Sequence, residues 1–352
     1  MQAESLTAAH RGALGNPSNR FAPLHLEADA DWNPAEDPLP RTQFLKDHSA
    51  SIIAYNNSPD VGFAASVNPY RGCEHGCVYC YARPTHEYLG FSSGLDFETK
   101  IMVKEHAAQL LRAELSAKKW QPQVIAMSGI TDCYQPVERK LKLTRACLEV
   151  LAEFRNPVAI ITKNALVTRD VDVLARLAGF QAAAVCLSLT TLDAELRSVM
   201  EPRTSPAQAR LAAIRTLAEA GIRVSVNVAP IIPGLNDHEI PAILAAAAAA
   251  GATAAGYTML RLPHANTELF VQWLETHFPQ RKDKVLNQLR TMRDGKLYDA
   301  KWGTRMQGAG IFAEQIQRIF EVARRKAGIK NNQPPLSTAA FRRPGGTQLE
   351  LL

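Results

Sequence analysis

Three thiols crowd into eight residues of this chain. Cys73, Cys77 and Cys80 are spaced C-x3-C-x2-C within Arg71-Gly72-Cys73-Glu74-His75-Gly76-Cys77-Val78-Tyr79-Cys80-Tyr81-Ala82, a loop stiffened by Pro69 and Pro84. Thiolates are soft ligands that suit zinc or iron–sulfur clusters, and close spacing lets one loop deliver several to one centre. A four-iron cubane normally takes four protein thiolates. Three leave one iron open, much as a catalytic zinc keeps a coordination position free for substrate. The alternative is a zinc knuckle that adds His75 or His86. Structural zinc sites usually pair C-x2-C with a distant second pair, and none follows here. A disulfide framework suits short secreted chains, not 352 residues without a secretory signal.

With Tyr79 directly before the last cysteine, the spacing resembles the cluster signature of the radical S-adenosylmethionine (SAM) superfamily. The wider string from Asn68-Pro69-Tyr70 through Ala82-Arg83-Pro84-Thr85-His86 is similar to the branch related to spore photoproduct lyase. The similarity runs from Ser58-Pro59-Asp60 to Gly303-Thr304-Arg305-Met306. It implies a [4Fe–4S] cluster on Cys73, Cys77 and Cys80, SAM as second cofactor, and a one-electron donor such as flavodoxin or ferredoxin. The implied chemistry is reductive cleavage of SAM to a 5′-deoxyadenosyl radical that abstracts hydrogen from a C–H bond. By the same resemblance the Thr162-Lys163 pair and Ser188 contact SAM, Tyr79 and Leu260 flank its adenine, and Tyr81 relays a radical.

The residues support this reading independently. In parallel barrels, function gathers at the C-terminal ends of strands. There the chain places Ser128 to Pro136, Thr162-Lys163-Asn164, Ser188 to Thr191, and Asn227. Lys163 suits the methionyl carboxylate as a point charge. Ser188 and Asn227 suit carboxylate and ribose oxygens, and Asp132 the ammonium. Two departures stand out. The family's usual Gly-Gly-Glu gives way to Gly129 and the pair Thr131-Asp132. Gly129 also stands where the lyase has a hydrogen-donating cysteine. Cys133 is the candidate thiol nearby, four residues further on, which can mean more than ~10 Å of chain. Cys147 and Cys186 read as small buried hydrophobes.

The elements that must position these residues alternate. Runs dense in Val, Ile, Leu and Ala predict strands over Gly62–Val67, Gln123–Met127, Val158–Thr162, Ala183–Leu189, Arg223–Val228 and Thr253–Leu260. Between them, Val103, Ala107, Leu110, Leu111 and Leu115 recur at helical spacing, as do Leu141, Leu148 and Leu151. Ser205 before Pro206 reads as a helix N-cap, and Gly221 and Gly251 as left-handed caps. Repeated strand–helix units argue for parallel strands with right-handed crossovers. The resemblance makes the expected fold a partial (β/α)6 barrel. Residues 1–55 read as an extended or disordered arm, 56–265 as the core, 266–330 as a basic helical extension and 331–352 as a disordered tail. In the extension Phe312, Ile316, Ile319 and Phe320 form one apolar stripe.

The net charge of +6 is unevenly placed: 13 Lys/Arg stand against 5 Asp/Glu between Arg281 and Lys330. Such a segment favours a polyanionic partner, DNA or RNA. No apolar run is long or hydrophobic enough to span a bilayer, and the expectation is a cytoplasmic protein without a membrane partner. The leading reading is a radical SAM enzyme acting on a nucleic acid, as a repair or modification lyase. A peptide or small-metabolite substrate, and a non-catalytic iron–sulfur or zinc module, are the alternatives.

Overall fold

A computed structural model describes residues 11–22, 41–330 and 333–344. Six parallel strands stand side by side in chain order: β1 Ala65–Val67, β2 Ile125–Met127, β3 Val158–Thr162, β4 Ala183–Ser188, β5 Arg223–Ile231 and β6 Ala254–Met259. The short strand Ile53–Tyr55 runs antiparallel along the free edge of β1. Every expected strand is present. Unreordered parallel pairing, with a helix between most successive strands, is the pattern of a (β/α)6 barrel left open between β6 and the β1 edge.

Burial alternates along the strands and shows which face meets the helices. Val158, Ile160, Val185, Leu187, Val224 and Val226 are buried. They share one core with Leu148 and Leu151 of α2 (Leu143–Phe154), Leu174 and Leu177 of α3 (Val171–Ala178), and Ile214 and Leu217 of α4 (Ala207–Glu219). Each such side chain contributes about 1.5–3 kcal/mol by leaving water. A further helix, α5 (Ile240–Ala249), covers β5.

Local differences from expectation have local causes. Val103 belongs to the strand Lys100–Val103 rather than to a helix, because it pairs with Lys46 on one side and Tyr70 on the other. This three-stranded sheet, with Gln43–Lys46 and Tyr70–Arg71, runs directly into Gly72-Cys73 and braces the cysteine loop. Pro206, not Ser205, is the N-cap of α4. The Ser205 hydroxyl instead donates to Asn164 and accepts from the Ala165 amide. Gly221 and Gly251 do adopt positive φ, 74° and 104°.

The C-terminal region is helical: α6 Asn266–His277, α7 Pro279–Thr291 and α8 Ile311–Lys326. Ala313, Ile316, Phe320 and Ala323 of α8 are buried, and this helix packs on α5. Ile319 is 44% exposed and leaves the expected stripe, because the buried seam follows Ala313, Ile316, Phe320 and Ala323 and Ile319 lies at its edge. Beyond α8, the Ser337 amide donates to Gln181 and the Arg342 amide to Phe154, so residues 333–344 lie along the barrel. Among the described residues, no helix is long and apolar enough to cross a membrane.

Candidate active site

The cysteine loop leaves β1 and the Tyr70–Arg71 strand through Gly72 and turns again at Gly76, at φ 80° and 68°. Arg83 holds it from beneath. Its Nε donates to the Cys77 carbonyl (3.0 Å), Nη1 to Ser93 and Gly94, and Nη2 to Glu98 at 2.5 Å. Both partners of that ion pair are fully buried. Glu98 also accepts from the Gly12 and Ala13 amides, which ties the N-terminal segment to the loop. From above, Asn266 of α6 donates to the Cys80 carbonyl at 2.7 Å.

The thiols fit a cluster on chemical grounds. Cys73 and Cys77 are buried and Cys80 nearly so. Burial, together with nearby negative charge, pushes Cys73 and Cys77 above the usual thiol range; burial pushes Cys80 up too. Three buried thiols need a cationic centre to ionise, and a bound metal supplies that field. Of the two histidines that a zinc site would draw on, His75 has both ring nitrogens engaged, whereas His86 Nδ1 is buried without a partner among the described residues. His75 is committed through Nδ1 to Asp132 (3.4 Å) and through Nε2 to Asn164 (3.1 Å). His86 is bonded to the Lys100 carbonyl and pulled down to about 4 by burial. Among the described residues no three His, Cys, Asp or Glu converge on a single-ion position.

Beside the loop lies a polar network. Lys163, just past β3, donates to Thr190 Oγ1 (2.9 Å) and to the Ala229 carbonyl (2.8 Å), with Glu201 at 3.7 Å. Its Nζ stands 5.5 Å from the Tyr79 ring centroid, and the Tyr79 hydroxyl is 3.4 Å from Thr190 Oγ1. Glu201 is fully buried. Against the upward pull of burial, Arg210 and Lys163 hold it down to about 2. Arg210 reaches Glu201, Thr204 Oγ1 and the carbonyls of Ser205 and Ser188.

The opposite strand face, Ile161 apart, carries small side chains that leave a hollow over the sheet. Register sets Ala126 beside Ala159, Ala159 beside Ala184, Cys186 beside Ser225, and Ser188 beside Asn227, which itself neighbours Gly256. Small side chains line a surface that closed barrels normally fill with Val, Ile and Leu. Cys186, expected inside, is half-buried here. The side chains of Ser188 and Asn227 make no hydrogen bond within the described residues, and both stand one row from Lys163.

Other expected residues are committed elsewhere. Asp132 accepts from Thr162 Oγ1, the Lys163 amide and the Tyr134 amide, and faces His75; these hold its carboxylate low against burial. Thr131 donates to the Tyr70 carbonyl and fixes its own loop. Leu260 is fully buried in one cluster with Cys77 and Tyr79. Tyr81 is 46% exposed, its hydroxyl 3.1 Å from the Gly129 carbonyl. Cys133 is corrected: it lies in the apolar core, fully buried, so its thiol has no access to the hollow. Glu201, Thr190 and Arg210 escape the sequence reading as a set. Only Thr190 falls at a strand end; Glu201 and Arg210 join it through tertiary packing.

The model of the radical SAM superfamily matches residues 67–247. An uncharacterised protein of Mycobacterium tuberculosis is 38% identical over 226 residues, 64% of this chain and 66% of the relative. An uncharacterised protein of Methanocaldococcus jannaschii is 32% identical over 173 residues, 49% and 62% of the two chains. The matched stretch thus spans just under two thirds of these curated relatives. Among solved structures, spore photoproduct lyase complexed with dinucleoside spore photoproduct superposes with a TM-score of 0.53 over 81% of this chain and 78% of that one. At 17% identity this is a likeness of fold.

Proposed function

This chain belongs to the radical SAM superfamily, enzymes that use a [4Fe–4S] cluster and SAM, and from that premise we propose how its own residues serve that chemistry. Cys73, Cys77 and Cys80 would hold the cluster and leave one iron for SAM. When bound and reduced, the cluster supplies the electron that splits SAM into methionine and a 5′-deoxyadenosyl radical, which takes hydrogen from the substrate.

The observation that carries the reading is the row Lys163, Ser188, Asn227 beside Tyr79. Two of the three Lys163 N–H donors are taken by Thr190 and Ala229, which leaves one for an anion. That donor meets the methionyl carboxylate. Glu201, 3.7 Å away, gives Lys163 a fixed counter-charge that helps aim it. Ser188 and Asn227, whose side chains have no hydrogen-bond partner among the described residues, answer ribose and carboxylate oxygens. Tyr79 packs at the adenine, with Leu260 behind it. The hollow lined by Ala, Ser and Gly gives the substrate room beside the strand ends.

The substrate is a nucleic acid or a nucleotide. The basic C-terminal region supports this, although Arg293 and Arg324 are buried and Arg305 pairs with Asp60, so part of the excess points inward. A lyase of like fold takes a dinucleoside photoproduct. Residue 129 has no room for a side chain: a Cβ would stand 2.7 Å from Ser66 Cβ. Hydrogen return from a cysteine at that position is therefore not part of the proposal.

Anaerobic reconstitution followed by SAM and dithionite tests the core of this. The expected outcome is a full cubane of iron and sulfide per chain and release of 5′-deoxyadenosine, lost in Cys80→Ala and strongly reduced in Lys163→Ala. Stoichiometric zinc, or a loaded cluster that never yields 5′-deoxyadenosine, would sink it.

A further inference from the structure

Past the end of β6, two guanidinium groups, Arg293 buried and Arg261 half-buried, carry buried N–H groups that no acceptor meets among the described residues. Arg293, in the turn after α7, is 4% exposed. Its Nη2 donates to the Leu260 carbonyl, while Nε and Nη1 are buried with no acceptor. Arg261 donates from Nη1 to Met306 Sδ at 3.4 Å, a thioether and so a weak acceptor. Its Nε is likewise buried and unpartnered. Burial pulls Arg293 below the ordinary guanidinium range; the charge of Asp299 works against that pull and the like charge of Arg261 adds to it.

The nearest acids are committed. Asp60 accepts from the Gly303 amide and pairs with Arg305. Asp299 accepts from the Lys301 amide and the Thr304 hydroxyl. Neither arginine forms an ion pair among the described residues. Asp299 and Asp60 act on the two arginines only through space; bringing like charges together with no acid in direct contact is costly, and proteins tolerate it where a ligand supplies that contact. Guanidinium forks match carboxylate and phosphate oxygens two at a time, and a tetrahedral phosphate has oxygens enough to meet two such groups at once. The position is also telling. The Arg261 guanidinium stands 5.2 Å from the Tyr81 ring centroid, and Tyr81 follows the last cluster cysteine.

We propose that Arg261 and Arg293 bind a phosphate group of the substrate at the barrel mouth, beside Tyr81. The pair fixes the substrate by its phosphate while the hollow receives the part to be attacked. This deepens the functional reading above and rests on it for the word substrate; the binding itself requires neither cluster nor turnover.

The test is calorimetric titration of the full chain with inorganic phosphate, a 5′-mononucleotide, a dinucleotide and an unphosphorylated nucleoside. Arg261→Met and Arg293→Met are run beside the wild type, with SAM as a further titrant. Phosphate-bearing probes should bind the wild type and weaken by roughly tenfold or more in either variant. Nucleoside and SAM affinities should not change. Arg293→Met should melt no lower than the wild type, since it removes an unanswered charge. Should that variant fail to fold, Arg261→Met decides alone. A dinucleotide that outbinds the mononucleotide marks a strand as the source of the phosphate, equal binding marks a free nucleotide, and both support the site. Phosphate probes that ignore the variants, or no binding by the wild type, overturn it. So does a parallel loss of SAM affinity, which would assign the pair to the methionyl carboxylate. 5′-Deoxyadenosine production without phosphate binding removes this site alone and leaves the radical chemistry standing.

Discussion

Arg83 and Arg210, beneath and beside the cysteine loop, and Arg261 and Arg293, at the barrel mouth, are the same residue put to opposite uses. The first two spend their donors on carbonyls and on Glu98 or Glu201. The second two keep buried N–H groups unmet. A guanidinium whose donors are all answered by the chain has a shape to hold. One that folding leaves unanswered has something to bind. The difference lies in the partners, not in depth: Arg293 is nearly as buried as Arg83.

The contrast can be broken by taking charges away. Arg83→Met strands Glu98 in the interior and releases the Cys77 carbonyl. Breaking a buried pair in this way costs about 3–5 kcal/mol, read as a lower denaturant midpoint together with loss of bound iron. Glu201→Gln should cost less, about 3 kcal/mol at the low end of that range, since Arg210 keeps Thr204 Oγ1 and two carbonyls. Its effect depends on pH. The folded carboxyl titrates at about 2, below its unfolded value, so its contribution is complete at neutral pH and fades as pH falls toward 2. An acid-unfolding series should therefore show the variant and the wild type converging at low pH. Arg293→Met should move stability least, by no more than about 1 kcal/mol and not downward. A large destabilisation there would place Arg293 with Arg83 and erase the distinction.

How much of this was legible beforehand follows from range. The thiol loop is a local string, and six strands announce themselves as short Val/Ile/Ala runs between helical periods. Lys163, Ser188 and Asn227 were found because strand ends of a parallel sheet meet at one rim. Glu201 and Arg210 were not, since their pairing across nine residues is made by how the loop after β4 folds back. Lys100–Val103 was misread because Val103, Ala107 and Leu111 share a helical spacing that a strand leading into a helix also produces. Cys133 looked reactive because sequence carries thiol chemistry but not burial; the core at Thr144 and Leu148 decides its fate. The unmet donors of Arg261 and Arg293 have no sequence signal at all.

Gly12 has a further consequence. A single methyl group there would lie 1.6 Å from the Gly76 carbonyl oxygen, so the backbone of the opening segment rests directly on the turn that carries the thiols. What looks like a dispensable leader is thus the floor under an oxygen-sensitive centre. Trimming it to obtain a tidier domain would spare every ligand and every barrel strand, yet leave the sulfur turn open to air from behind.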